Sequence, residues 1–355
     1  MPNRSARSVA IIFAVLLSPV AGAGDAEELK APLALFAAAE PLELTLTADF
    51  KTLRSRKSWE SDRWHEGSIS LEGDLAQRVL PVRLRVRGGF RTRDDNCNFP
   101  QFFVDVTGAD TLGTVFEGQE ILALTTHCRG SSVYSRYIHR EFIAYRIYNL
   151  LTDKSLRVRS ALFTYMRSDK PVKVARRYGF FVEHFDAMAS RLGTRHVDLD
   201  VFHPAAGDAF EMGVLELFEF MIGNTDFSAA YEHNIVLMQL PGQKIFGVPY
   251  DFDFSGLVNA RYAAPASQFR TRSVRTRIYR GWCRDEADFD EVVAHFQTKR
   301  AEIFELLDEF DWMPVVVIKD AEQYLRSFYD VLDSPRELDR QIRTKCATGV
   351  PVRGE

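Results

Sequence analysis

The chain has 355 residues, 46% of them hydrophobic and 12% aromatic, with a formal net charge of −4. That length and apolar content supply a full core and exclude wholesale disorder. The mixed, slightly acidic charge excludes a nucleic-acid partner held by global charge.

Residues 1–23 read as a signal peptide. Arg4 and Arg7 form a basic start, Val9–Leu17 an apolar run too short to span a bilayer comfortably, and Ala21-Gly22-Ala23 the small residues a signal peptidase needs. Cleavage is expected after Ala23. No Cys follows the run, so no lipid anchor is expected, and no later stretch is long and apolar enough for a stable membrane span. Residues 24–41 are Ala-rich and read as a flexible lead-in. The four cysteines fit an oxidising destination, periplasmic or secreted. Of the three possible connectivities, one bridge per half is favoured (Cys97 with Cys128, Cys283 with Cys346), because each then closes a loop within one folding unit.

Strand patterns follow. "LELTLTADF" alternates from Leu42, and "GSISLEGD" and "VLPVRLRVRGGF" come next. In the last of these Val82, Leu84 and Val86 face one way and Arg83, Arg85 and Arg87 the other, until Gly88-Gly89 ends the run. "FPQFFVDV" and "EILALTT" predict further strands. Ser131 or Ser132 can cap one long helix through "VYSRYIHREFIAYRIYNLLTD", with Ile138, Phe142 and Tyr145 on its buried face and Glu141 beside it. "VRSALFTYM" and "YGFFVEHF" complete this half as strands.

The second half reads mainly as helix. Asp208 opens "AFEMGVLELFEFMIGN", and "EADFDEVVAHFQTKRAEIFELLDEF" and "IKDAEQYLRSFYDVL" close the chain after an Arg-rich region. Between them, "HNIVLMQL" and "KIFGVPYD" predict a hairpin turning at Pro241-Gly242. Its open end gathers His233, Asn234, Asp251 and Asp253, with Asp226 in the loop before it. Carboxylate and amide oxygens are hard ligands that suit Mg²⁺, which usually keeps waters and substrate phosphates. Phosphoryl transfer asks chiefly for positioning and charge neutralisation, which so few groups can supply. No Gly-x-Ser-x-Gly elbow, Walker loop, dinucleotide Gly-x-Gly-x-x-Gly run or Cys-x-x-Cys zinc spacing is present.

"N-x-D…H-N", an apolar hairpin and "Y-D-F-D-F-S-G" resemble the CotH kinase-like family, as do "RVRGGFR", "CNFP", "THC" and "REFIAYRIYNLLT" in that order, over roughly residues 42–260. The resemblance implies an α+β, two-lobed, protein-kinase-like fold. An antiparallel-sheet N-lobe with one long helix would span 42–184, and a mainly helical C-lobe 185–355. It implies an exported kinase that transfers a phosphoryl group from ATP or another nucleotide, with Mg or Mn, to an exported protein or envelope acceptor. By the same resemblance Asp226 is the catalytic carboxylate, and Asn234 and Asp251, with Asp253 as second choice, hold the metal. Arg87, Gly88 and Gly89 cover the donor phosphates, Glu141 pairs a phosphate-binding cation, and Glu183 lies beside the base. The chain departs from the pattern at Ala123, where the resemblance implies a basic residue. The alternative is therefore a degenerate pseudokinase that serves as an envelope binding or scaffolding module.

Overall fold

Alternating inward and outward side chains build the first half. The computed structural model describes residues 34–55, 61–71, 78–93, 95–265 and 268–349. The signal peptide expected over 1–23 and the lead-in up to residue 33 lie outside them. The end of that lead-in is docked rather than free, since Leu35 is buried in the core of the first sheet.

Seven strands form this sheet: β1 (Leu42–Ala48), β2 (His65–Leu71), β3 (Val79–Arg87), β4 (Gln101–Asp105), β5 (Ile121–Thr125), β6 (Val158–Arg167) and β7 (Lys173–Val182). Helix α1 (Phe50–Leu53) follows β1, and helix α2 (Ser132–Leu151) joins β5 to β6. The strand order is β1-β2-β3-β4-β5-β7-β6, and the sheet closes on itself where β1 meets β6. That seam is parallel, with Leu44 opposite Phe163 and Leu46 opposite Tyr165, while the other pairings are antiparallel. Inside lie Leu44, Leu46, Val82, Leu84, Phe102 and Phe163, all buried. The alternation along β3 is the expected one, with Val82, Leu84 and Val86 inward.

The two-lobed, protein-kinase-like layout with an antiparallel-sheet N-lobe is therefore corrected. The sheet is a closed seven-stranded barrel of mixed sense. The physical reason is non-local. The passage through α2 and back returns β6 to the free edge of β1 in the same direction, and pairing there removes both exposed edges.

The rest of the chain contributes α3 (Phe185–Leu192), β8 (Arg195–His196), α4 (Ala209–Ile222), β9 (Ile235–Gln239), β10 (Ile245–Pro249), α5 (Glu286–Thr298), α6 (Arg300–Asp308), α7 (Val315–Leu332) and α8 (Pro335–Gln341). β8, β9 and β10 form a second small sheet. The helix expected over 286–310 is broken at Lys299, whose backbone caps the end of α5 and the start of α6. One apolar core runs from Ala123 and Val182 on the outside of the barrel through α2 to α4 and α7. The described residues accordingly form one compact unit rather than two lobes. Two disulfides, Cys97–Cys128 and Cys283–Cys346, lie one in each half. They fit an oxidising compartment. Among the described residues no helix is long and apolar enough to cross a membrane.

Candidate functional site

The hairpin of β9 and β10 forms where it was expected, with Pro249 opposite Ile235 and Tyr250 N–H donating to Asn234 C=O at 3.0 Å. This closes the hairpin's open end and makes Asn234 and Asp251 neighbours. Helix α4 delivers the loop that precedes it. The Asp208 carboxylate caps the start by accepting from Glu211 N–H at 3.0 Å. Gly223 ends the helix with φ +66°, where a Cβ would stand 2.1 Å from the Tyr324 hydroxyl.

Beyond Gly223 the loop is held by its own side chains. Asn224 is fully buried, and its Oδ1 accepts the Asp226 N–H at 3.0 Å. Asn234 Nδ2 donates to the Asp226 carbonyl at 2.7 Å and to its carboxylate at 3.3 Å. The His233 ring lies 3.0 Å from the other carboxylate oxygen of Asp226. That hydrogen bond, opposed by partial burial, raises the His233 pKa, with the charges of Asp226 and Asp251 adding to the shift.

Asp251 projects from the other strand. Its N–H donates to the Tyr145 hydroxyl of α2 at 2.9 Å, while its carboxylate makes no hydrogen bond or ion pair with any described residue. Among the described residues, positive φ at non-glycine positions falls on Cys128, Glu232, Asn234, Asp251 and Asn259. Three of these flank the same mouth. Left-handed backbone costs about 1–2 kcal/mol for most residues, and such strain concentrates at functional sites.

Behind the mouth sits a buried charge cluster. Arg91, on the short helical turn Phe90–Thr92, donates through Nε to Asp253 at 2.9 Å and through Nη2 to Glu141 at 2.7 Å. The Tyr262 hydroxyl also donates to Asp253, at 3.0 Å. Burial lifts the pKa of both carboxyls, and the nearby charge of Asp251 adds to it. Burial opposes the Arg91 charge, but Asp253 and Glu141 outweigh it and keep the guanidinium protonated. Its remaining terminal nitrogen, Nη1, is buried and has no hydrogen-bond partner among the described residues.

The structure thus brings Asp226, Asn234 and Asp251 together at the mouth and puts Asp253 and Glu141 in the supporting cluster. Asp253, the second choice for metal, is occupied by Arg91 and Tyr262. Arg87 donates to Gln101 Oε1 at 2.7 Å and lies over the Phe103 ring. Gly88 (φ +97°) and Gly89 turn the chain in the open, where a Cβ would meet nothing within 4 Å. Glu183 is buried, and its two oxygens accept from Arg191 at 2.9 and 2.8 Å and from Arg157 N–H at 3.1 Å, so it builds structure. The residue missed was Arg91. It stands in the "RVRGGFR" motif and supplies Glu141 with the cation that Ala123 does not.

Among the described residues no three His, Cys, Asp or Glu side chains converge to hold a metal. A cation at the mouth would instead take one carboxylate, Asp251, and one amide oxygen, Asn234 Oδ1, whose partner nitrogen is turned onto Asp226. The donor set fits an ion that draws its other ligands from water and phosphate. No family model matches the chain, and no curated protein matches it.

Proposed function

We propose that the hairpin mouth binds a nucleotide's phosphates with Mg²⁺ or Mn²⁺ and transfers a phosphoryl group to a hydroxyl on an exported or envelope protein, in the periplasm or outside the cell. The observation that carries this reading is the Asp251 carboxylate, which makes no hydrogen bond or ion pair with any described residue, at the hairpin end where Tyr250 N–H pairs with Asn234 C=O. The order of motifs that resembles the CotH kinase-like family supports it at the sequence level.

When bound, the divalent ion supplies charge neutralisation at the transferring phosphate. Asp251 and Asn234 Oδ1 would hold it. Asp226, oriented by Asn224, Asn234 and His233, positions the acceptor hydroxyl and accepts its proton. The acceptor oxygen–phosphorus bond forms as the bond to the nucleoside diphosphate breaks. Arg91 ties the segment carrying Asp251 to α2 through Glu141 and Asp253, and so supports the mouth from behind.

The test is thermal melting of the purified full chain with ATP and Mn²⁺ or Mg²⁺. A ligand at a hundred times its Kd stabilises by about 2.7 kcal/mol, a shift of several degrees. Asp251→Ala should abolish the shift. Asp226→Asn should keep it while lowering ADP formation by about a hundredfold or more. No shift in the wild type would refute the reading. A binding module without turnover is the second reading. It is favoured by the Asp226 carboxylate already lying in hydrogen bonds to Asn234 and His233, and it would show the melting shift with no ADP formed.

A further inference from the structure

A second concavity lies away from the hairpin mouth and shares no lining residue with it. Its volume is about 580 Å³, and Phe50, Lys51, Arg54, Asn98, Arg167 and Lys173 line most of it. No carboxylate is among its described lining residues. The nearby acids are engaged elsewhere. Asp49 accepts the N–H groups of Lys51 and Thr52, both at 3.1 Å, as the cap of α1. Asp169 accepts from Arg167 Nε at 2.7 Å and so neutralises it.

Among the described residues the other three cations, Lys51, Arg54 and Lys173, have no acidic partner. Arg54 is steadied by donating Nε to the Asn98 carbonyl at 2.8 Å and by lying 6.0 Å over the Phe99 ring. Its terminal nitrogens make no hydrogen bond with a described residue. The Cys97–Cys128 disulfide pins one wall and the capped α1 the other. In a chain of net charge −4, this is a local excess of positive potential in a preformed hollow.

We propose that this concavity binds a phosphate-bearing anion, a diphosphate or a phosphomonoester. A guanidinium fork matches two oxygens of one phosphate, and two ammonium groups serve as point charges around it. Three positive charges in so small a volume suit a group that concentrates two or more negative charges. The inference stands apart from the reading of the hairpin mouth.

The test is titration of the purified full chain with inorganic pyrophosphate in metal-free buffer. Saturable binding at millimolar concentration or tighter is expected, and it should weaken as salt is raised. Lys51→Glu/Lys173→Glu changes two exposed side chains, leaves the fold intact and should weaken binding by about tenfold or more. Asp251→Ala should bind as the wild type does. Absence of saturable binding, equal binding by the double variant, or loss on Asp251→Ala would overturn the proposal. So would citrate binding as tightly as pyrophosphate. Phosphatidylcholine vesicles with and without phosphatidate distinguish the source. Capture only with phosphatidate, lost in the double variant, puts the phosphate on a lipid. Pyrophosphate binding without vesicle capture puts it on a small molecule.

Discussion

Removing the Arg91 guanidinium is the sharpest test of the buried cluster. Arg91 is 4% exposed, Glu141 1% and Asp253 4%, so the three groups meet almost without water. In Arg91→Met the hydrogen bonds of 2.7 and 2.9 Å are lost and two carboxyls face each other with no cation between them. Breaking a buried pair by removing one partner costs about 3–5 kcal/mol, because the charge left behind stays desolvated. Against the stability of an ordinary domain, about 5–15 kcal/mol, that is a large share, and it is read as a shift of the unfolding midpoint. Both carboxyls already have raised pKa values, and loss of the cation raises them further.

A carboxyl with a folded pKa above its unfolded value contributes fully below the unfolded value, and that contribution is lost as pH rises through the folded one. The deficit of Arg91→Met should therefore be largest at neutral pH and above. It should shrink toward pH 5, by up to about 1.4 kcal/mol per unit for each carboxyl involved. Urea unfolding of the disulfide-intact protein, followed by tryptophan fluorescence at several pH values, measures this directly. Adding Glu141→Gln and Asp253→Asn to Arg91→Met should recover most of the loss. A deficit below about 1 kcal/mol at pH 7, or one that does not change with pH, would refute the reasoning.

Two further substitutions probe the loop that carries Asp226. Glu219 on α4 is fully buried, and burial pushes its pKa up to about 8. Glu219→Gln should gain stability over the wild type as pH rises from about 4.5 to about 8, by a few kcal/mol in all, and the gap should stop growing above that range; parallel stability curves would count against a neutral buried acid. Gly223→Ala puts a methyl group 2.1 Å from the Tyr324 hydroxyl at φ +66°. It should lower stability in urea unfolding by at least about 1–3 kcal/mol, and an unchanged midpoint would show that α7 yields freely there.

Short-range features were legible because their causes are local. The β3 alternation, the Ser131 and Asp208 caps and the hairpin at Pro241-Gly242 each depend on residues within a few positions of one another. Asp226, Asn234 and Asp251 could be brought together on paper because one hairpin joins them. The length of α5 could not, since Lys299 breaks a pattern that stays amphipathic on both sides of it.

The amino-acid order alone therefore determined strands, helices, one disulfide in each half and one end of a hairpin rich in oxygen ligands. Only the tertiary structure decided that the sheet would close through β1 and β6 and that one core would unite the barrel with the helices. It also decided that Arg91 would meet Glu141 and Asp253, partners 50 and 162 positions away. Periodicity reports which face of an element is apolar, because that depends on neighbours along the chain. Which two distant faces or charges meet depends on the whole set of elements competing to bury surface and pair polar groups, and that is settled only in three dimensions.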